Sequence, residues 1–131
     1  MPTPPDDAPL APAPDRSPFP PAEHDPGTAA DDPPVLALAA ELDEEPMFVS
    51  RTLRAFLRDG RIETIPARDR KRRVILRWLV RTAFADPGPW TEPEVNMRLA
   101  LVNRDVSALR RYLVDAGLLA REGGTYRHGP A

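Results

Sequence analysis

Arg104, Ser107, Arg110 and Arg111 stand at spacings of three, three and one. At helical pitch such spacings hold side chains near one another on a single side. They bring three guanidinium groups and one hydroxyl, whose chemistry is recognition rather than bond-making. A guanidinium donates in a fork that fits phosphate oxygens and the O6/N7 edge of guanine, and a serine hydroxyl serves any base. A second positive group precedes it: Arg68, Arg70, Lys71, Arg72 and Arg73, continued by Arg77 and Arg81. Such a run suits backbone phosphates, which position a protein without reading sequence. Its bland alternative is pairing with the acidic tail or with nearby Asp and Glu. Arg121 and Arg127, near the end of the chain, are short-range candidates for a minor groove.

Catalytic chemistry finds no comparable set. The two histidines, His24 and His128, are far apart, and cysteine is absent. Ser107 has no histidine near it in sequence to activate it. The acidic clusters lie in the N-terminal part, without metal-ligand spacing on a helix. The expectation is therefore a non-enzyme with no metal and no cofactor. Trp78, Phe84, Trp90 and Tyr112 are scattered rather than interleaved with the basic run, so they read as core or core edge, not as stacking platforms.

The elements that must hold the first group are legible between Trp90 and Arg127. Thr91 and Glu94 have capping-box spacing, with Pro93 inside the first turn. Val95, Leu99 and Val102 give that helix a narrow apolar face. Asn103 or Asp105 can cap the next one, whose Val106, Leu109 and Leu113 point inward together. Gly117 falls where that helix should end, Leu118 and Leu119 begin a strand, and Gly123-Gly124 signals a two-residue hairpin turn. Helix, tight turn, helix, strand, hairpin, strand is the order of a winged helix-turn-helix. The expected fold is mainly α with a small β-hairpin.

Upstream, Arg68 to Phe84 carries Ile75, Leu76, Leu79 and Ala83 on one face, with Arg70, Arg73, Arg77 and Arg81 opposite. Pro46 opens another helix, with Phe48, Leu53, Phe56 and Leu57 as its apolar face, stopped by Asp59-Gly60; Arg61 to Ile65 reads as extended. The spans predicted are helices at 48–58, 68–84, 92–101 and 105–116 and a hairpin at 118–128. Leu53, Phe56, Ile75, Leu79, Val95, Leu99, Leu109, Leu113 and Leu118 should be buried.

The net charge of −2 averages two unlike parts. Residues 1–46 hold eleven acidic side chains against one Arg, and residues 47–131 nine against seventeen basic ones. Residues 1–34 hold twelve of the eighteen prolines and one aromatic, Phe19, too little apolar surface to offset the entropy of ordering. This tail is expected to be disordered. Residues 35–46 read as a short acidic amphipathic helix or linker, marginal alone because its acidic end opposes the helix dipole. Residues 47–131 are the winged-helix-like domain. No apolar run approaches the roughly 20 residues of a membrane span, and the absence of cysteine fits a reducing cytoplasm.

Phe56-Leu57-Arg58-Asp59-Gly60-Arg61-Ile62, Ile65-Pro66-Ala67 and Val74-Ile75-Leu76-Arg77-Trp78-Leu79 resemble the first half of a small bacterial family, domain of unknown function 2087. Thr91-Glu92-Pro93-Glu94-Val95-Asn96 and Asp105 through Leu119 resemble its second half. The resemblance covers roughly residues 50–128. The sequence departs from it at Ala116, where an aromatic residue is common, and at Tyr112, where Glu is common. Members occur alone or attached to transcriptional regulators, which implies a nucleic-acid-binding, regulator-like role with double-stranded DNA as partner. The alternative is a non-catalytic adaptor that binds another protein, or a second copy, through residues 47–58. An apolar surface left open on 47–58 would favour the adaptor. A basic surface joining Arg70, Arg73, Arg110 and Arg111 would favour DNA.

Overall fold

The computed structural model describes residues 27–131. Residues 1–26, most of the expected acidic tail, lie outside the described part. Residues 27–34, which composition assigns to that tail, are instead part of the fold. Thr28 is buried and its carbonyl accepts a 2.6 Å hydrogen bond from Ser50 Oγ. Pro33 and Pro34 open α1 (Pro33–Leu42). Prolines there forfeit only amides that the first turn leaves unpaired, so this pair starts a helix rather than preventing one.

Pro46 likewise opens α2 (Pro46–Phe56). α1 buries Val35, Leu38 and Ala39, and α2 buries Val49 and Leu53. Both pack on α3 (Asp69–Ala83), which buries Val74, Ile75, Leu76, Leu79 and Val80. The arginine face of α3, which reads as solvated, meets the acidic end of α1. Arg70 grips Glu44 with Nε and Nη2 at 2.7–3.1 Å. Arg81 Nη1 donates to Glu41 at 2.7 Å, with Arg77 Nε 3.7 Å from the same carboxylate. Acids that oppose α1's own dipole thus find their counter-charges on a neighbouring helix.

After α2 the chain turns extended. β1 (Leu57–Arg58) pairs antiparallel with β2 (Arg61–Ile62), Leu57 opposite Ile62. Leu57 takes the inward position, and Phe56, expected in the core, is only half-buried. The helix ends there, and the switch from helical to strand geometry turns the next residue inward instead.

The remaining elements are β3 (Trp90–Thr91), α4 (Glu92–Ala100), α5 (Val106–Asp115), β4 (Leu119–Glu122) and β5 (Thr125–His128). The ends of the helices expected at 48–58, 68–84, 92–101 and 105–116 lie within two residues of those observed, whereas α1 ends at Leu42, short of the expected 46. Local signals explain the agreement. Thr91 and Glu94 form the reciprocal capping box, and Asp105 Oδ1 accepts from the Ala108 amide. Gly117, at φ +77°, closes α5: its amide bonds to the Val114 carbonyl, and the Leu118 amide to that of Leu113. That pair of bonds is the Schellman closure, which needs a left-handed residue at this place. Glu122 pairs with Thr125 across the Gly123-Gly124 turn. β3, like β1, is an element the sequence reading lacked. It pairs with β5, Trp90 opposite Tyr126, giving the sheet order β3-β5-β4.

One apolar cluster runs from Val35 to Tyr126 and contains the other eight residues expected to be buried. No helix among the described residues is long and apolar enough to cross a membrane.

Asp86 ties the α3–β3 loop to the sheet and α4. Its carboxylate accepts from Arg98 Nη1 at 2.7 Å and from the Trp90 indole at 3.0 Å. Arg98 first, then Trp90, hold its carboxyl well below the usual carboxylate range. A depressed pKa contributes stability that is complete above the unfolded value of about 3.9 and lost as pH falls through the folded one. The melting temperature of Asp86→Asn should therefore fall less steeply than wild type's on acidification below about pH 4. Parallel melting curves across that window would show that Asp86 is not the acid-sensitive tie.

Candidate nucleic-acid interface

Leu109 and Leu113 face the core from α5, so Ser107, Arg111 and Val114 look outward. Arg110 is half-buried at the edge, where its Nη1 donates to Asn96 Oδ1 on α4. Opposite stands the β4–β5 hairpin. Tyr126 is buried there, and its hydroxyl donates to Glu92 Oε1 at 3.0 Å. Burial, then the hydrogen bond to the neighbouring Glu92, push its phenol above its ordinary range. Arg121 Nη2 lies 3.7 Å from the same Glu92. Between helix and hairpin runs a groove of about 380 Å³ that gathers Ser107, Arg110, Arg111 and Arg121, with Asp115 also in its lining. These four sequence candidates come together; Arg104 does not join them. It sits at the start of α5, beside the β1–β2 hairpin.

The α3 candidates divide differently. Arg70 is held by Glu44 and lies over the Phe48 ring at 3.9 Å, and it draws the Glu44 carboxyl below its ordinary range. Arg77 is held near Glu41. Arg73 lies 3.9 Å from Asp69, one turn earlier, and also helps to draw down the Glu44 carboxyl. Lys71 makes no ion pair among the described residues. Arg70 and Arg73 are not among the residues lining the groove that gathers Arg110 and Arg111. The link between α3 and α5 is another residue, Arg72. It donates to the Ala67 carbonyl at 2.9 Å and lies 4.5 Å from the Tyr112 ring, against which Arg111 also rests at 5.5 Å. A guanidinium over an aromatic face is attracted by the ring quadrupole.

Sequence reasoning missed the supports: Asn96 for Arg110, Tyr112 for Arg111, and Glu92 for Tyr126 and Arg121. A usable signal existed for Asn96 and Glu92. Both share α4 with Val95 and Leu99, and sit beside rather than opposite that buried stripe. Nothing local marks Arg72.

These elements define a mainly helical domain with two small antiparallel sheets and an arginine-lined groove beside its last helix. The family model described as an uncharacterized protein conserved in bacteria (DUF2087) matches residues 61–128, just over half of the chain. The chain belongs to that family. The match begins at Arg61 in β2 rather than near residue 50, so α1, α2 and β1 precede it. No curated protein and no solved structure matches the chain.

Proposed function

We propose that this is a winged helix-turn-helix protein of the reducing cytoplasm that contacts duplex DNA as a transcription regulator does. In this reading α5 is the recognition helix and β4–β5 is the wing. The observation that carries it is the groove bringing Ser107, Arg110 and Arg111 of α5 to Arg121 of the hairpin. The order α3, β3, α4, α5, β4, β5, with β5 central in its sheet, supports the same reading. A recognition helix presents side chains to the major groove while its neighbours touch the backbone. Arg111 and Ser107 are the exposed readers, and Arg110 is partly committed to Asn96.

The adaptor alternative would need an apolar face on α2. Val49, Leu53 and Leu57 are buried and Phe48 lies under Arg70. Met47 is the large apolar side chain of that stretch left exposed, which favours the DNA reading.

An electrophoretic shift with genomic fragments across a salt series tests it. A shift that weakens steeply as salt rises is expected, since phosphate contacts release counterions. No shift at low salt would overturn the proposal.

A further inference from the structure

The turn between α4 and α5 is bonded to an element that precedes both. Arg61 Nη1 donates to the Leu101 carbonyl at 2.8 Å. The Ile62 amide donates to the Val102 carbonyl at 2.7 Å, and Asn103 Nδ2 returns a 2.7 Å bond to the Ile62 carbonyl. Asn103 Oδ1 also accepts from the amide of Asp105, the cap of α5. The β1–β2 hairpin is thus fixed to the start of α5 by three hydrogen bonds, one of them from a charged donor.

Between hairpin and turn lies a cavity of about 380 Å³ whose lining includes Arg58, Arg61 and Arg104, with Asp59 and Glu63. The three guanidiniums are unequally occupied. Arg61 spends one N–H on Leu101 and keeps its other donors. Arg104 is exposed and makes no ion pair among the described residues. Arg58 has Glu63 at 3.3 Å, but both side chains are more than half exposed, and such pairs are weak. Three positive charges against two negative ones leave one in surplus, the charge of a single phosphodiester.

We infer that this cavity is a second nucleic-acid contact, in which Arg58, Arg61 and Arg104 take a backbone phosphate of the duplex bound by α5. The inference rests on the proposed DNA reading and adds to it. The hairpin's bonds set the cavity at a fixed place beside the start of α5, so the phosphate it holds fixes how deeply that helix enters the groove. It positions and does not read sequence.

The test uses the full chain and fluorescence anisotropy of a labelled random-sequence duplex over a salt series, with inorganic phosphate as a separate probe. Arg58→Ala/Arg104→Ala should melt like wild type, because both side chains are exposed. Its slope of log affinity against log salt should be shallower by about 0.9, the loss of one phosphate contact. Any preference among sequences should persist, and Arg58→Lys/Arg104→Lys should recover most of the slope, since charge is restored. An unchanged slope in a folded double-alanine variant, while Arg111→Ala weakens binding, overturns the inference alone. No binding by wild type overturns the DNA reading and the inference together. Binding of inorganic phosphate to Arg58, Arg61 and Arg104 that leaves duplex affinity unchanged, beyond its effect as salt, would assign the cavity to free phosphate and overturn the backbone contact.

Discussion

Replacing Leu113 by alanine is expected to cost about 2–5 kcal/mol of folding stability, the range for truncating a fully buried leucine. Leu113 is completely buried, and its carbonyl takes the Leu118 amide in the closure of α5. The substitution leaves a cavity between α5 and the rest of the core at the point where the chain turns into β4. Small domains hold only about 5–15 kcal/mol in total, so the variant should be near its unfolding limit on warming. Urea unfolding followed by the fluorescence of buried Trp90 measures it directly. A loss below about 1 kcal/mol would mean that α5 does not present this face to the core.

Arg111→Ala should do the reverse, leaving the melting temperature almost unmoved while duplex affinity falls. Arg111 is exposed and touches only the Tyr112 ring among the described residues, so it contributes little to the fold. A lost bidentate base contact costs about 1–3 kcal/mol, roughly five- to 150-fold in affinity, and relaxes preference at that base pair. Arg110→Ala is a poorer reporter, since it also leaves Asn96 on α4 without its partner. The informative control is Arg70→Ala. That arginine belongs to Glu44 and Phe48 on the other side of α3, and duplex affinity should not change. Equal losses of affinity in Arg111→Ala and Arg70→Ala would indicate a diffuse charge effect and remove α5 as the reader.

What the sequence determined by itself is the local part of this protein. The Thr91–Glu94 box, the Asp105 cap, the Gly117 closure and the Gly123-Gly124 turn are bonds between residues at most five apart. Spacing alone can reveal them, and with the periodic leucines it fixes α4, α5 and the hairpin. The tertiary structure decided what depends on partners far along the chain. β3 is two residues long and exists through pairing with Thr125 and Tyr126. Tyr112 and Arg72 are far apart in sequence yet meet, the Arg72 guanidinium lying over the ring that Arg111 also rests against. The arginine row of α3 has the spacing of a solvated face, yet Arg70 meets Glu44 across 26 residues and Arg81 meets Glu41 across 40. A row of charges on one helix carries no record of what lies opposite. That is set when the apolar stripes of α1 and α3 dock and bring the two charged edges into register. Docking therefore separates the arginines of α3 that pair with α1 and the turn after it from those of α5 that the proposed DNA reading uses.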